Sequence, residues 1–469
     1  MKKSPSPLGI APLPRLLREY SVPAIVGTLI TSLYNIIDSI CIGHGVGPLA
    51  LAGMALTFPI MNLSGAFGML IGTGGAALLS IRLGQKNQVA AQQILANSLL
   101  LSLAIGLGFT FLSLLFLDEM LMAFGGTPQS IPFAREFLEI MLAGTLISTL
   151  FYGFNNMLRA AGFPKKAMIT MIISALINSA LAPLFIFGFH WGMRGAAIAT
   201  LLAQSAGAVW VMGHFWTRKH ALHFSWRVFI PQRSIINGIV ALGLSPFLVQ
   251  GAASLVNATT NHTLEQYGGN MAVGAFGIVI RILTLIVMFV MGLHQGLQPI
   301  VGYNYGAKQL SRVRRALSLG IGVAVAITSV GFLATHLFAY DLVSLFTSDA
   351  SLKQFSAEAL KMATLIYPIV GFQIITSNFF LSIGKPRKAI FLSLSRQILF
   401  LIPAILLLPR WLGVNGVWLA MSLSDLLAAI TAAMVLTFQL RRFGQLPIPK
   451  TTARSEKASG PSNPTRGLY

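Results

Sequence analysis

Two carboxylates and two guanidinium groups stand inside stretches that are otherwise apolar: Asp38, Asp425, Arg281 and Arg396. A charge in hydrocarbon costs at least about 2.5–3.5 kcal/mol even on the lenient insertion scale, so each must face a cavity or a partner. Tyr34 precedes Asp38 by one helical turn and shares its face. A carboxyl held away from water there can load a proton from one side and release it to the other. It can equally hold Na⁺ with neighbouring oxygens. The structural alternative is an Asp38 neutralised by hydrogen bonds or by a basic partner. Arg281 and Arg396 read first as packing charges or as partners of an acid. Asp425, with Ser422 and Ser424 close by, reads equally as structural or functional. Glu139 lies about two turns into its segment, and the other acids sit near segment ends.

No Gly-x-x-x-x-Gly-Lys-Ser/Thr loop is present, nor a His-Glu-x-x-His or paired-Cys motif. The single cysteine, Cys41, permits no internal disulfide and reads as small apolar packing. No nucleophile and base face each other by spacing, so the chain is not expected to be an enzyme. No cofactor is expected, and a metal only if Asp38 binds Na⁺. Energy for any transport must then come from an ion gradient.

These charges need elements to hold them. The chain has 469 residues, 55% hydrophobic and 10% charged, against roughly 25% charged in soluble domains. Its solvent is therefore the bilayer. Apolar runs predict helices at 16–41, 49–82, 91–117, 132–159, 166–189 and 193–216, then 235–264, 270–304, 314–339, 355–382, 388–409 and 414–439. The second and eighth exceed what a bilayer needs and must tilt or protrude. Alternate loops collect the basic residues, and 26 of the 33 Lys and Arg fall on one side. That bias puts both termini in the cytoplasm. It also accounts for the net charge of +21 without nucleic acid, since no soluble basic domain exists to bind it. Residues 1–15 read as a cytoplasmic tail, 217–234 as a cytoplasmic linker and 440–469 as a disordered tail.

The chain repeats itself. Leu83-Gly84-Gln85-Lys86 matches Tyr305-Gly306-Ala307-Lys308, and Gly162-Phe163-Pro164-Lys165 matches Gly384-Lys385-Pro386-Arg387, both at an offset of 222. Ser21-Val22-Pro23 matches Leu244-Ser245-Pro246 at 223, and Gly192-Met193-Arg194-Gly195 matches Gly413-Val414-Asn415-Gly416 at 221. Each half, 16–216 and 235–439, has an even number of helices, so the repeats are parallel. The fold expected is all-α and polytopic: twelve transmembrane helices in two six-helix lobes, related by a pseudo-two-fold axis along the membrane normal. The Gly68-x-x-x-Gly72 pattern with Gly74 and Gly75 reads as close helix packing. Pro23, Pro59 and Pro246 read as bends or hinges.

Tyr34-Asn35-Ile36-Ile37-Asp38, Gly43-His44, Leu83-Gly84 and Arg159-Ala160-Ala161-Gly162-Phe163-Pro164-Lys165 resemble the first half of the multidrug and toxic compound extrusion (MATE) family. The run from Gln295-Gly296-Leu297-Gln298-Pro299 to Tyr305-Gly306-Ala307 is the most specific match in the second half, joined by Ser395-Arg396-Gln397 and Gly413-Val414-Asn415-Gly416-Val417-Trp418. The resemblance spans about residues 12–440 and implies two lobes around a V-shaped cavity. It implies an antiporter in the cytoplasmic membrane, exporting organic cations or amphiphilic drugs against H⁺ or Na⁺. Partners would be those small molecules and membrane lipids, with no nucleic acid, and the transporter a monomer.

The resemblance also implies roles. Asp38 matches the coupling-cation aspartate, Tyr34 a nearby aromatic, Asn178 and Thr200 the cation-site asparagine and threonine, and Asn155 falls near the same cluster. Many members carry a second carboxylate four residues after the asparagine, where Ala182 stands here. Hard cations favour several charged oxygens, so H⁺ is expected over Na⁺. In the second lobe Asn261 is taken as the repeat partner of Asp38. Asn257, Gln298 and Asn378 are further polar candidates, with Gln250 and Gln373, and none is charged. Two rivals stand: a lipid-linked precursor flippase using Arg281 or Arg396 on a pyrophosphate, and a membrane scaffold that moves nothing.

Overall fold

The computed structural model describes residues 6–217, 222–225 and 229–445, and among them it contains helices and no strand. The tail and linker charges at Lys2, Lys3, Arg218, Lys219 and Arg227, and the segment after Gln445, lie outside the described residues. In order the helices are α1 (Pro7–Ile10), α2 (Leu13–Gly45), α3 (Pro48–Gly84), α4 (Gln88–Leu115), α5 (Leu117–Ala123), α6 (Ile131–Ala143), α7 (Thr145–Ala160), α8 (Pro164–Pro183) and α9 (Gly192–Trp216). Then come α10 (Arg233–Gly306), α11 (Leu310–Leu337), α12 (Ala339–Ser344), α13 (Ala350–Ala363), α14 (Pro368–Ser382), α15 (Pro386–Leu394), α16 (Ile402–Leu407), α17 (Pro409–Leu412) and α18 (Val414–Gln445).

These elements give twelve crossings. Nine are long and apolar enough by themselves, among the described residues. Two more are broken spans: α6 and α7 meet at 58°, and α13 and α14 at 56°. The twelfth is hidden in α10, whose 74 residues reverse at Gly269, with φ 62° and ψ −162°. A straight helix of that length would reach about 110 Å, several bilayers deep. The sequence pattern predicted single helices over 132–159 and 355–382. Hydropathy reads composition and not direction, so a bend at Gly144 or at residues 364–367 leaves it unchanged. α18 continues to Gln445, past the expected end at 439. Pro23, Pro59 and Pro246 all lie within uninterrupted helices. The break near a proline comes instead after Pro183, where a π-helical turn spans Leu184–Gly188.

The repeat is written into the backbone. Lys86 and Lys308 both take φ 58°, and positive φ recurs at Gly47 and Gly269 and at Gly162 and Gly384. Each pair is 222 residues apart. The starts of α4 and α11, α5 and α12, α8 and α15, and α9 and α18 share that offset.

The halves meet along a glycine seam. A Cβ on Gly243 would fall 1.8 Å from Leu70 O, and one on Gly74 would fall 2.1 Å from Ile239 O. Gly84 faces Tyr303 O and Gly306 faces Ile81 O at 2.0 and 2.1 Å by the same measure. α2 closes on α10 where Gly292 meets Ile25 and Gly296 meets Ser21. Leu16, Leu17, Ala77, Leu293, Leu297 and Phe380 fill one shared core there. All these residues lie in the helix halves nearest the termini. Farther along the same faces, Ile36 beyond Ile25, Leu63 beyond Leu70 and Asn261 beyond Gly243 are exposed, so the halves part there and a cleft opens away from the termini.

Gly243→Ala should wedge α3 from α10, at about 1–3 kcal/mol, and loosen the closed side. With Cys41→Ala as background, a cysteine at Ser80, which packs on Gly302, should then label faster with a maleimide. Unchanged labelling would mean that the seam does not hold the closure.

Candidate cation site and the cleft between the lobes

Asp38 is buried at 6% exposure inside the first half. Its Oδ2 accepts from Thr200 Oγ1 at 3.3 Å and from Asn178 Nδ2 at 3.4 Å. Asn178 Nδ2 also donates to Thr200 Oγ1 at 3.0 Å. Thr200 has a second acceptor, Ala196 O, at 3.0 Å. A hydroxyl carries one proton, so Thr200 serves either the carboxylate or its own helix. Asp38 Oδ1 and Asn178 Oδ1 are buried and have no partner. The cluster thus holds more acceptors than donors, and a proton or a cation is what would balance it. α2 supplies Asp38, α8 supplies Asn178 and α9 supplies Thr200.

Tyr34 stands one turn from Asp38 and shares a hydrogen bond of 3.1 Å with Tyr152 across to α7. Ser148 donates to Gln204 at 2.5 Å, one turn beyond Thr200. Ala182 is fully buried against Phe185 and Ala199, so apolar packing fills the place where a second carboxylate was considered. Asn155 donates to Ala167 O at 2.9 Å and accepts from Arg159 at 3.0 Å, and none of its bonds runs to Asp38.

In the second half, Thr260 stands 222 residues from Asp38, the spacing of the positive-φ residues, and Asn261 stands 223 from it, the spacing of Pro23 and Pro246. Thr260 is fully buried and bonded to Val256 O, whereas Asn261 and Asn257 are exposed. A shift of one residue turns a helical position by about 100°, enough to carry Asn261 out of the lobe. Gln298 is buried and donates across the seam to Thr73 O at 3.2 Å. Asn378 donates to Ile374 O on its own helix, and Gln373 donates to Ser377. Asp425 accepts from Arg396 Nε at 2.5 Å, with side-chain exposures of 6% and 32%. Tyr367, beside the pair, donates to Leu283 O. Arg281 is exposed and forms no ion pair among the described residues. The expectation of an acid partner thus holds for Arg396 and fails for Arg281. Glu139 pairs with Arg135 at 2.7 Å on the outer surface.

Arg159 lies in the last turn of α7. It is buried, and its guanidinium donates to Asn155, to Asn156 at 2.8 Å and to Gln295 of the other half. Its partners are amides, so the seam carries a cation with no carboxylate bound to it. Buried His294 packs nearby. The sequence signal was available: Arg159 opens the Arg-Ala-Ala-Gly motif in one half, and Gln295 opens the long motif in the other.

Two similar bundles joined on one side of a cleft and parted on the other have the architecture of a membrane transporter. The profile of the MatE family matches residues 23–184 and 247–406, and the chain belongs to that family, a family of transporters. Multidrug export protein MepA of Staphylococcus aureus (strain N315) is 26% identical over 435 residues, covering 92% of this chain and 95% of that protein. Its counterpart from Staphylococcus haemolyticus is 25% identical over 427 residues, covering 91% and 94%. A multidrug resistance MATE family transporter solved in an outward-facing conformation superposes with a TM-score of 0.90 at 25% identity, covering 95% of this chain and all of that one. A MOP superfamily transporter from Pyrococcus furiosus, described as having a binding pocket of reversed polarity, superposes at 0.89 and 25% identity, covering 95% of this chain and 100% of that one.

Removing one side of the buried Asp425–Arg396 pair should cost about 3–5 kcal/mol, because the other charge is left behind. Asp425→Ala should therefore melt well below wild type, and Asp425→Leu with Arg396→Met should recover most of the loss. Melting of the purified transporter, followed by light scattering, reads both. An unchanged melting point for Asp425→Ala would remove the pair from the structural account.

Proposed function

We propose that the chain is a secondary active exporter of organic cations or amphiphilic drugs, driven by inward movement of H⁺ across the cytoplasmic membrane. The observation that carries this reading is the Asp38 cluster: a lone buried carboxylate, two neutral donors on one oxygen, and no partner on the other. A site with one carboxylate and buried Ala182 is poor in the hard oxygens that Na⁺ favours. A proton needs only one. The printed names of the relatives, multidrug export proteins, support the drug-export half of the reading.

The lobes of this reading are residues 16–216 and 235–439, working as a monomer among membrane lipids. Both termini lie in the cytoplasm, which the bias of basic residues supports. The closed seam is then cytoplasmic and the cleft faces outward. Deprotonated Asp38 keeps Thr200 turned toward it. A proton arriving from outside frees Thr200 for Ala196 O and lets Asp38 donate to Asn178 Oδ1. That rearrangement ties α2, α8 and α9 together differently, and drug affinity changes only as far as the two arrangements bind drug differently.

The test is ethidium efflux from cells carrying wild type, Asp38→Asn or Thr200→Val. Efflux should fall by about tenfold or more in Asp38→Asn, partly in Thr200→Val, and in wild type when the proton gradient is collapsed. Loss on collapse of the sodium gradient alone would make the coupling ion Na⁺. Full efflux by Asp38→Asn would remove Asp38 from coupling.

A further inference from the structure

The walls of the cleft are chemically unlike. On the second arm of α10, Met288 meets Ser32 at 2.8 Å and Gly292 meets the backbone of Ile25. These two positions therefore point at α2. Arg281 is seven residues before Met288 and eleven before Gly292, within about 20° of each on the helix wheel. It stands about 10 Å above Met288 on the open side, exposed, with Thr284 on the same face.

The first arm behaves likewise. Gly243 faces Leu70, and Phe247 lies 5.0 Å from Phe67 by ring centroid. Gln250, Ser254, Asn257 and Asn261 follow within about 40° of the direction set by Gly243. The second half thus presents amides, hydroxyls and one guanidinium, with Leu285 exposed beside the guanidinium.

The facing wall is uncharged and more apolar. Ile36 extends the α2 face that carries Ile25 and Ser32, with exposed Ser39 beside it, and Leu63 extends the α3 face that carries Leu70; the exposures of Ile36 and Leu63 are 55% and 38%. Asp38 sits more than about 100° round α2 from that face and is enclosed by Thr200 and Asn178. Glu265 is exposed four residues before the Gly269 turn, at the mouth, whereas Arg281 lies twelve residues beyond the turn, about 18 Å deep. No ion pair joins Glu265 to Arg281 among the described residues.

We propose that Arg281 is the recognition group for an anionic head on the transported amphiphile, carboxylate or phosphate, whose apolar body lies against Ile36 and Leu63. A guanidinium offers a planar fork of donors that suits both oxyanions, and desolvation in a narrow cleft strengthens the pairing. The amide stripe of the first arm supplies further donors around the head. The assignment rests on the exporter reading and adds to its cargo amphiphiles that bear a negative group, zwitterions included.

Tetramethylrhodamine and its methyl ester differ in one carboxylate and serve as matched probes. With the full chain in phosphatidylcholine nanodiscs, fluorescence polarisation gives the affinity of each. Wild type should prefer the acid by at least about tenfold. Arg281→Gln should bring the ratio near one, and Arg281→Lys, which keeps the charge but loses the fork, should leave an intermediate ratio. A wild-type ratio near one, or a ratio unmoved in Arg281→Gln, overturns the assignment. If Arg281→Gln binds neither dye, Arg281→Lys decides, and an undiminished ratio there overturns it. Competition by dodecyl phosphate against dodecanoate then tells the source: tighter phosphate points to a lipid headgroup, tighter carboxylate to a drug. Ethidium efflux from cells carrying the wild type separates the two readings. If ethidium is exported and the acid is not preferred, the exporter stands and Arg281 falls. If neither dye binds and ethidium does not move, both fall.

Discussion

Backbone contact without side chains between α3 and α10 is the constraint on which the rest depends. Gly74, Gly84, Gly243 and Gly306 let carbonyl oxygens of the opposite helix approach where any Cβ would collide. Lipid tails are as apolar as leucine, so burial gives little drive for helices to meet in a membrane, and close van der Waals approach must supply it. The seam fixes which ends of the two bundles touch. Because the helices splay from it, it also fixes where the cleft lies and which faces of α2, α3 and α10 line it.

The two halves then diverge on shared geometry. Each has a bent fourth span and the same pattern of positive-φ turns. The second half neutralises its buried aspartate with a guanidinium, Asp425 with Arg396. The first half leaves Asp38 to a hydroxyl and an amide, with one oxygen of each carbonyl group unpaired. An ion pair in low dielectric resists change, because removing either charge strands the other. A carboxyl held by neutral donors strands no opposite charge when it is neutralised, and Thr200, with two acceptors for one proton, can follow it. The duplicated fold thus carries an ion pair in one lobe and a carboxylate without a charged partner in the other. Arg159 lies between them, held by amides from both halves, where a change in one lobe meets the other.

Much of this was legible in the residues. Composition required the bilayer, the distribution of Lys and Arg required an even number of crossings, and the offset near 222 required two parallel halves. Asp38, Asn178 and Thr200 were named together before their contacts were known, through a family likeness and not through spacing, since they are 140 and 22 residues apart. The bonds of Asn155 run to Ala167 and Arg159 and not to Asp38, because a position along a helix does not say which neighbour it faces. Asn261 is exposed and Thr260 beside it is buried, since one residue is about 100° of helix.

The sequence by itself determined the solvent, the number of spans, the duplication and the short set of charges that must have a purpose inside the membrane. Tertiary structure alone decided which charges found partners: Arg396 with Asp425, Arg159 with amides, and Arg281 with none among the described residues. It also decided that the halves close on the side of the termini and that the cleft has one wall more apolar than the other. Hydropathy and charge are sums over residues and survive in one dimension. Pairing, facing and closure depend on the angle of each residue about its helix and on how two helices cross, and only packing sets those.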